Sequence, residues 1–212
     1  DDDILAYEIA KTITVSKSMA VVMGVAPLLA INVIYTVYFY SANALTGYVW
    51  IGLVPTAMTA FLLLYLHKYT WHSEFMLKHR KLHHSIVMLA LALLLCVPFI
   101  FLTNINLMLF PDKWEQVNGF FSAMFINHNV IPRFLHFFNA SLAVTGLFMV
   151  WYVGLPSFKV EGRFTDSSRA DLKRRFYKLA TIFTLMQFVI GPLVWLTLPR
   201  NMEMVGMNVV LT

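Results

Sequence analysis

Five apolar stretches, each close to the length of a membrane-spanning helix, dominate this sequence. They cover approximately residues 17–44, 49–67, 82–103, 132–153 and 176–198, and away from their ends they contain no Asp, Glu, Lys or Arg. A helix needs roughly 20 apolar residues to cross the hydrocarbon core of a bilayer. The sequence therefore predicts an all-α integral membrane bundle of about five transmembrane helices, with residues 1–212 forming a single membrane domain.

Composition agrees with a membrane environment. Hydrophobic residues make up 59% of the chain and charged residues 13%, whereas about a quarter of a soluble domain is charged. The apolar stretches do not alternate with polar residues, as the strands of a membrane barrel would. The net charge of +5 lies in short segments between the apolar stretches, which indicates lipid and not nucleic acid as the partner of the basic residues.

The distribution of Lys and Arg predicts the orientation of the chain. The loop after the second stretch carries four basic residues and the loop after the fourth carries six, whereas the opposite side has only Lys113, Arg133 and Arg200. Basic loops stay on the cytoplasmic side, so we expect an inner-membrane protein with a cytoplasmic N-terminus and a C-terminus outside. The long connection 104–131 is predicted to contain a short amphipathic helix.

Seven histidines are the polar residues best suited to carry chemistry. Five of them lie on the predicted inner side among Lys and Arg, a mixture that is typical of a solvated interfacial loop. Zinc binding is the alternative, because two of these five are spaced four apart on a helix, with Glu74 nearby. The five are His67, His72, His79, His83 and His84, and the spaced pair is His79 and His83.

His136 differs because it lies inside the fourth apolar stretch. An ionisable side chain at membrane depth costs a few kcal/mol unless it has a partner. A haem iron is one such partner, since neutral imidazole is its usual axial ligand. A hydrogen bond to a neighbouring helix is the alternative. Small residues follow on the same helix, Gly146 among them, and they allow close approach of either a flat macrocycle or another helix.

Two further residues near His136 are candidates for cofactor binding. Arg133 stands one turn before it, where a guanidinium suits a haem propionate or else extends to lipid headgroups. His128 is a second candidate ligand, but Pro132 is expected to break the helix between it and His136, which favours an interfacial position. No nucleophile–base pair, phosphate loop or carboxylate pair occurs in or near the stretches, which argues against a hydrolase, an ATPase or a proton-driven transporter.

The segment 133–148, Arg-Phe-Leu-His-Phe-Phe-Asn-Ala-Ser-Leu-Ala-Val-Thr-Gly-Leu-Phe, resembles a helix of subunit I of the cytochrome bd quinol oxidase superfamily. In that family the helix supplies the histidine ligand of the low-spin haem b, which here matches His136. The segment Lys81-Leu-His-His-Ser similarly leads into a helix like the family's fourth. The resemblance implies a haem b subunit of a respiratory complex that passes electrons between quinone or quinol and a redox partner.

The chain departs from the family pattern in three places. The family's first helix, with another haem ligand, is absent. Pro55 and Thr56 stand where the family has a glutamate at its oxygen-reducing site. The methionine that completes the haem coordination belongs to a later helix. The resemblance therefore implies a subunit that does not itself reduce oxygen and that relies on partners.

The expected partners are membrane subunits that supply the missing helices and an outer multihaem or iron–sulfur subunit. Candidate sixth ligands are a partner chain or the methionines near the C-terminus, Met202, Met204 and Met207. Because the chain opens on three aspartates and ends on an apolar run, we expect partner chains at both ends or a truncation at one of them. A haem-free membrane anchor of a redox complex is the alternative function.

Overall fold

The computed structural model describes residues 1–126, 128–160, 164–165 and 167–198, without the side chains of residues 2 and 13–20. Over these residues the backbone is helical and contains no strand, which confirms the predicted all-α fold. A 3-10 turn, Pro111–Gln116, precedes α7. The α-helices are α1 (Asp2–Ile34), α2 (Thr36–Thr46), α3 (Tyr48–Ile51), α4 (Leu53–Tyr69), α5 (Glu74–Lys78), α6 (Arg80–Leu109), α7 (Phe120–Ile126), α8 (Val130–Gly154) and α9 (Arg169–Leu196).

The helices fall into two compact units. The N-terminal unit is Asp2–Asn127 and the C-terminal unit is His128–Thr212 together with Asp1. Within the described residues, four helical segments are long and apolar enough to cross a membrane, and a bent pair brings the number to five if it counts as one span. The chain is therefore a multi-pass membrane protein. The four segments are Tyr48–Tyr69, Arg80–Leu109, Val130–Gly154 and Arg169–Leu196.

The first predicted span, 17–44, is not one straight helix. The helix continues through Pro27, and the chain bends by 110° between α1 and α2. The bend is at Tyr35, whose φ of −115° and ψ of 37° lie outside the helical region. Asn32 Nδ2 approaches Tyr40 Oη to 3.5 Å across it. The hydropathy pattern does not reveal this break because the residues on both sides of it are apolar.

The third and fifth predicted spans are confirmed but extend further than their apolar stretches. α6 continues to Leu109, and α9 starts at Arg169, well before the predicted start at 176. A capping box explains the early start of α9: Asp171 N donates to Ser168 Oγ at 3.2 Å and Ser168 N donates to Asp171 Oδ2 at 3.1 Å. Such reciprocal bonds stabilise the first turn of a helix. The first turn of α9 is charged, so its hydropathy predicted a loop.

The N-terminal unit packs α2 and α4 against α6, with polar groups buried along one end of α6. Asn104 is fully buried, its side chain meets that of Asn43, and Thr46 Oγ1 donates to Asn104 Oδ1 at 3.4 Å. Backbone and side-chain polar groups in a membrane fold must pair with one another, because lipid offers them no hydrogen bonds. The predicted short helix in the connection 104–131 is α7, which presents Phe121 and Phe125 on its exposed side.

The C-terminal unit is an antiparallel hairpin of α8 and α9, and the two helices approach each other closely at Gly146. A Cβ atom on Gly146 would lie 2.9 Å from Ala180 N and 3.0 Å from Phe176 O. Helix backbones in membranes approach this closely only where residues are small. Gly146 therefore accommodates the neighbouring helix, one of the two uses that the sequence left open.

Side-chain amides tie the two helices of this hairpin together along its length. Each amide nitrogen donates to a backbone carbonyl of the opposite helix, so the hairpin is held by polar contacts as well as by close packing. The three bonds are Asn129 Nδ2 to Val194 O at 3.2 Å, Gln187 Nε2 to His136 O at 3.0 Å and Asn139 Nδ2 to Phe183 O at 2.7 Å.

Arg169 closes the end of the hairpin. Its guanidinium donates to Val153 O at 2.8 Å, to Leu155 O at 3.0 Å and to Phe158 O at 2.8 Å. The last carbonyls of a helix have no partners within the helix and form the negative end of its dipole. Arg169, one of the six basic residues of the loop predicted after the fourth stretch, thus acts as a cap for α8 and for the turn that follows.

We expect Arg169→Met to destabilise the protein by on the order of 2–3 kcal/mol, because hydrogen bonds from a charged donor are worth more than neutral ones. The measurement is thermal unfolding in detergent, followed by scanning fluorimetry. The matched control is Arg174→Met, since Arg174 is an exposed arginine of the same helix. Equal losses of stability in the two variants would show that Arg169 contributes no more than its charge.

Candidate functional site

His136 lies in the second turn of α8 with an exposed side chain. Its backbone carbonyl accepts the hydrogen bond from Gln187 Nε2 at 3.0 Å, so the neighbouring helix fixes the backbone at this turn. The imidazole itself makes no hydrogen bond to any residue that the structure describes. The alternative was a hydrogen bond from His136 to a neighbouring helix. Such a bond exists for the backbone carbonyl of His136 but not for its imidazole ring.

Arg133 and His128 lie on the N-terminal side of His136. Arg133 is half-buried in the first turn of α8, and His128 is exposed in the turn that precedes the helix. The expected break at Pro132 is wrong: α8 begins at Val130 and includes Pro132 in its first turn. Proline is tolerated there because its missing N–H would have no partner within the helix.

These residues can be compared with what a haem requires. An axial site needs one imidazole nitrogen and open space beside it, and His136 offers both. Its neighbours Leu135 and Phe137 are exposed apolar side chains, which suit the faces and edges of a macrocycle. The guanidinium of Arg133, one turn away, suits a propionate. The residues present on this side of α8 therefore fit a haem, whereas Gly146 faces α9.

Comparisons with protein-family models, curated proteins and solved structures found no match. The likeness to the cytochrome bd superfamily therefore stays an expectation based on segment 133–148. The methionines predicted as candidate sixth ligands, Met202, Met204 and Met207, lie outside the described residues.

A second group of aromatic and polar side chains lies where α4 ends and α6 begins. We call this region the basic end of the N-terminal unit. The rings of His67 and His83 stack with centroids 4.0 Å apart, and His83 Nε2 lies 2.9 Å from His67 O. Trp71 packs edge-on against both imidazoles, at 5.1 Å and 5.3 Å. Tyr7 of α1 in turn packs on Trp71 at 5.5 Å.

This group corrects the expectation that all five inner histidines belong to a solvated loop. His72, His79 and His84 are exposed, as expected, but His67 is buried and His83 is half-buried. The sequence contained a usable signal, because His67 belongs to the last turn of an apolar helix and Trp71 follows four residues later.

The two histidines that the sequence offered as zinc ligands do not form a ligand set in this part of the structure. His79 Nδ1 lies 2.9 Å from Phe75 O, and its ring packs on that of Phe75 at 4.5 Å. His83 instead contacts the carbonyl of His67. Across the described residues, no three His, Cys, Asp or Glu side chains come together as a metal-ion site.

Proposed function

We propose that this chain is a haem b-binding membrane subunit of a respiratory complex, which passes electrons between quinone or quinol and a redox partner subunit. The observation that supports the proposal is the exposed imidazole of His136, without a hydrogen-bond partner among the described residues, on a helix of membrane-spanning length. A polar group left without a partner in an apolar medium is costly, and an iron would provide that partner.

Each residue near His136 has a distinct part in this proposal. A bound haem b supplies one-electron chemistry between ferric and ferrous iron. His136 would provide a nitrogen ligand and Arg133 would pair with a propionate, while the bond from Gln187 to the carbonyl of His136 keeps the helix turn in position. His128 stays at the interface, because it precedes the helix and is exposed.

The proposed setting is the inner membrane, with the N-terminus in the cytoplasm, the C-terminus outside and partner subunits against the exposed apolar faces. Leu185, Phe188 and Val189 of α9 form one such face, and Phe188 is 76% exposed. Patches of this kind indicate contact with lipid or with other subunits. Oxygen reduction is not part of the proposal, because Pro55 and Thr56 stand where the family that segment 133–148 resembles has a glutamate.

A haem-free membrane anchor is the second candidate function. The same exposed apolar faces favour it, since an anchor needs only surfaces for lipid and for partner subunits. In this case His136 serves assembly, its ring meeting a polar group of a partner chain.

The absorbance spectrum of the purified complex distinguishes the two functions. For a haem b subunit, we expect a Soret band in the oxidised protein and a b-type α band in the reduced-minus-oxidised difference. For an anchor, an intact complex gives a flat difference spectrum once haem from other subunits is removed or subtracted. A flat spectrum from an intact complex would contradict the haem proposal.

A further inference from the structure

The first three turns of α9 carry a concentration of positive charge. Residues 155–178 contain seven Lys or Arg and three Asp or Glu. Arg174 and Lys178 are both exposed, and their spacing of four residues places them on the same face of the helix. Among the described residues, no carboxylate forms a salt bridge with either of them. Asp171, one turn before Arg174, instead accepts a hydrogen bond from Ser168 N at 3.1 Å.

The two cations continue into an exposed apolar surface. On the side that faces α8, Ala180 is 3% exposed. On the other side, the side chains of Leu185 and Phe188 are 60% and 76% exposed. Steps of four, three, four and three residues keep side chains on one face of a helix. Five exposed residues with these steps form what we call the α9 stripe: Arg174, Lys178, Thr181, Leu185 and Phe188.

The length of the α9 stripe matches one leaflet of a bilayer. Arg174 and Phe188 are fourteen residues apart, which corresponds to about 21 Å along the helix axis. Half the thickness of a bilayer, headgroups included, is about 20–22 Å. Tyr177, exposed between the two cations, is of a residue type that is enriched at the level of the headgroups. The cations therefore lie at the depth of a lipid phosphate, and Leu185 and Phe188 lie at the depth of the acyl chains.

The order of charge along the stripe favours an anionic lipid over a protein partner. Side chains of a helix tilt toward its N-terminus, so both cations extend toward the headgroups, as long basic side chains do at an interface. A subunit covering the stripe would have to place acidic side chains opposite them beside the hydrocarbon core, where ionisable groups are costly. An anionic phospholipid brings its charge and its apolar chains in the same order as the stripe does.

We propose that the α9 stripe binds an anionic phospholipid, with Arg174 and Lys178 on its phosphate and with Leu185 and Phe188 against its acyl chains. This site goes beyond electron transfer, and it serves a haem subunit and a haem-free anchor equally. It assigns the exposed apolar face of α9 to lipid and leaves the other exposed faces to partner subunits.

Native mass spectrometry of the full chain, released from detergent, measures the binding of individual lipids directly. The probes are dioleoyl phosphatidylglycerol, which is anionic, and dioleoyl phosphatidylcholine, which is zwitterionic and has the same acyl chains. We expect the first phosphatidylglycerol to bind about tenfold more tightly than the first phosphatidylcholine, because two cations act on one anionic headgroup. The double variant Arg174→Gln with Lys178→Gln should lose most of this preference.

Two further double variants serve as controls. Lys78→Gln with Lys81→Gln removes the same amount of charge from exposed positions of α5 and α6, and it should keep the preference for phosphatidylglycerol. Arg174→Lys with Lys178→Arg exchanges the two cations without changing the charge of the stripe, and it should keep the preference too. Elution in size-exclusion chromatography verifies that each variant is folded.

Four results would overturn the inference. One is equal affinity of the unmodified protein for the two lipids, and another is an equal loss of preference in the two glutamine double variants. A third is displacement of phosphatidylglycerol by inorganic phosphate, which would assign the cations to a soluble anion. The fourth is a change from dimer to monomer in Arg174→Gln with Lys178→Gln at unchanged lipid preference, which would assign the stripe to a second copy of the chain.

Discussion

Replacing His136 with alanine should abolish the haem spectrum of the protein, with loss of essentially all bound haem per chain. In the proposed site the imidazole is the ligand that this chain contributes from α8, and a methyl group cannot replace it. The side chain is exposed and makes no hydrogen bond within the described chain. Its removal should therefore leave stability and elution volume unchanged. Haem per chain is measured by the pyridine haemochrome method.

Two further variants make this prediction specific. His128→Ala removes the other histidine on the same side of the protein and should leave haem occupancy unchanged, because His128 precedes α8. Arg133→Gln should keep the haem but shift its midpoint potential downward, because a propionate loses its cationic partner. Unaltered haem in His136→Ala would assign the ligand to another residue, and a collapse of the fold would make His136 structural.

Gly146→Leu should separate α8 from α9 and reduce the free energy of unfolding by about 1–3 kcal/mol, the usual range for overpacking a tight contact. Even a single Cβ atom would lie 2.9 Å from the backbone nitrogen of Ala180, so the backbone itself must move. Gly146→Ala should have a smaller effect of the same sign. The measurement is thermal unfolding in detergent.

Gly191 on α9 offers the matched control for Gly146. A Cβ atom there meets nothing within 4 Å, and an alanine is favoured over glycine inside a helix by roughly 1 kcal/mol. Gly191→Ala should therefore be neutral or slightly stabilising, so the two glycine-to-alanine changes should have opposite signs. Destabilisation of equal size at both positions would contradict the close contact as the cause, because a Cβ atom on Gly191 meets no neighbouring atom.

Hydropathy was sufficient to predict the all-α fold and the approximate position of four spans, because lipid contact imposes long uncharged segments. It could not predict their ends. The start of α9 depends on reciprocal hydrogen bonds between Ser168 and Asp171, and the end of α6 on buried contacts around Asn104. Both are local or tertiary polar interactions, to which a hydropathy average is insensitive.

The candidate sites differ in how far the sequence revealed them. His136 was identifiable because it is a histidine inside an apolar stretch, an unusual position for an ionisable residue. His67 was grouped with solvated histidines because basic residues follow it closely in the sequence. Its burial arises only when α6 brings His83 onto it and α1 brings Tyr7 onto Trp71, contacts between residues distant in sequence.

The bend at Tyr35 has a consequence for the whole topology. α2 leaves α1 at more than a right angle, so its length of roughly 16 Å does not extend the chain along the axis of α1. Crossing of this first segment thus depends on α1 alone. An odd number of membrane crossings places the two termini in opposite compartments, and an even number places them in the same one. The bend at Tyr35 therefore bears on the compartment that the C-terminus faces, because the crossing of this first segment decides between four spans and five.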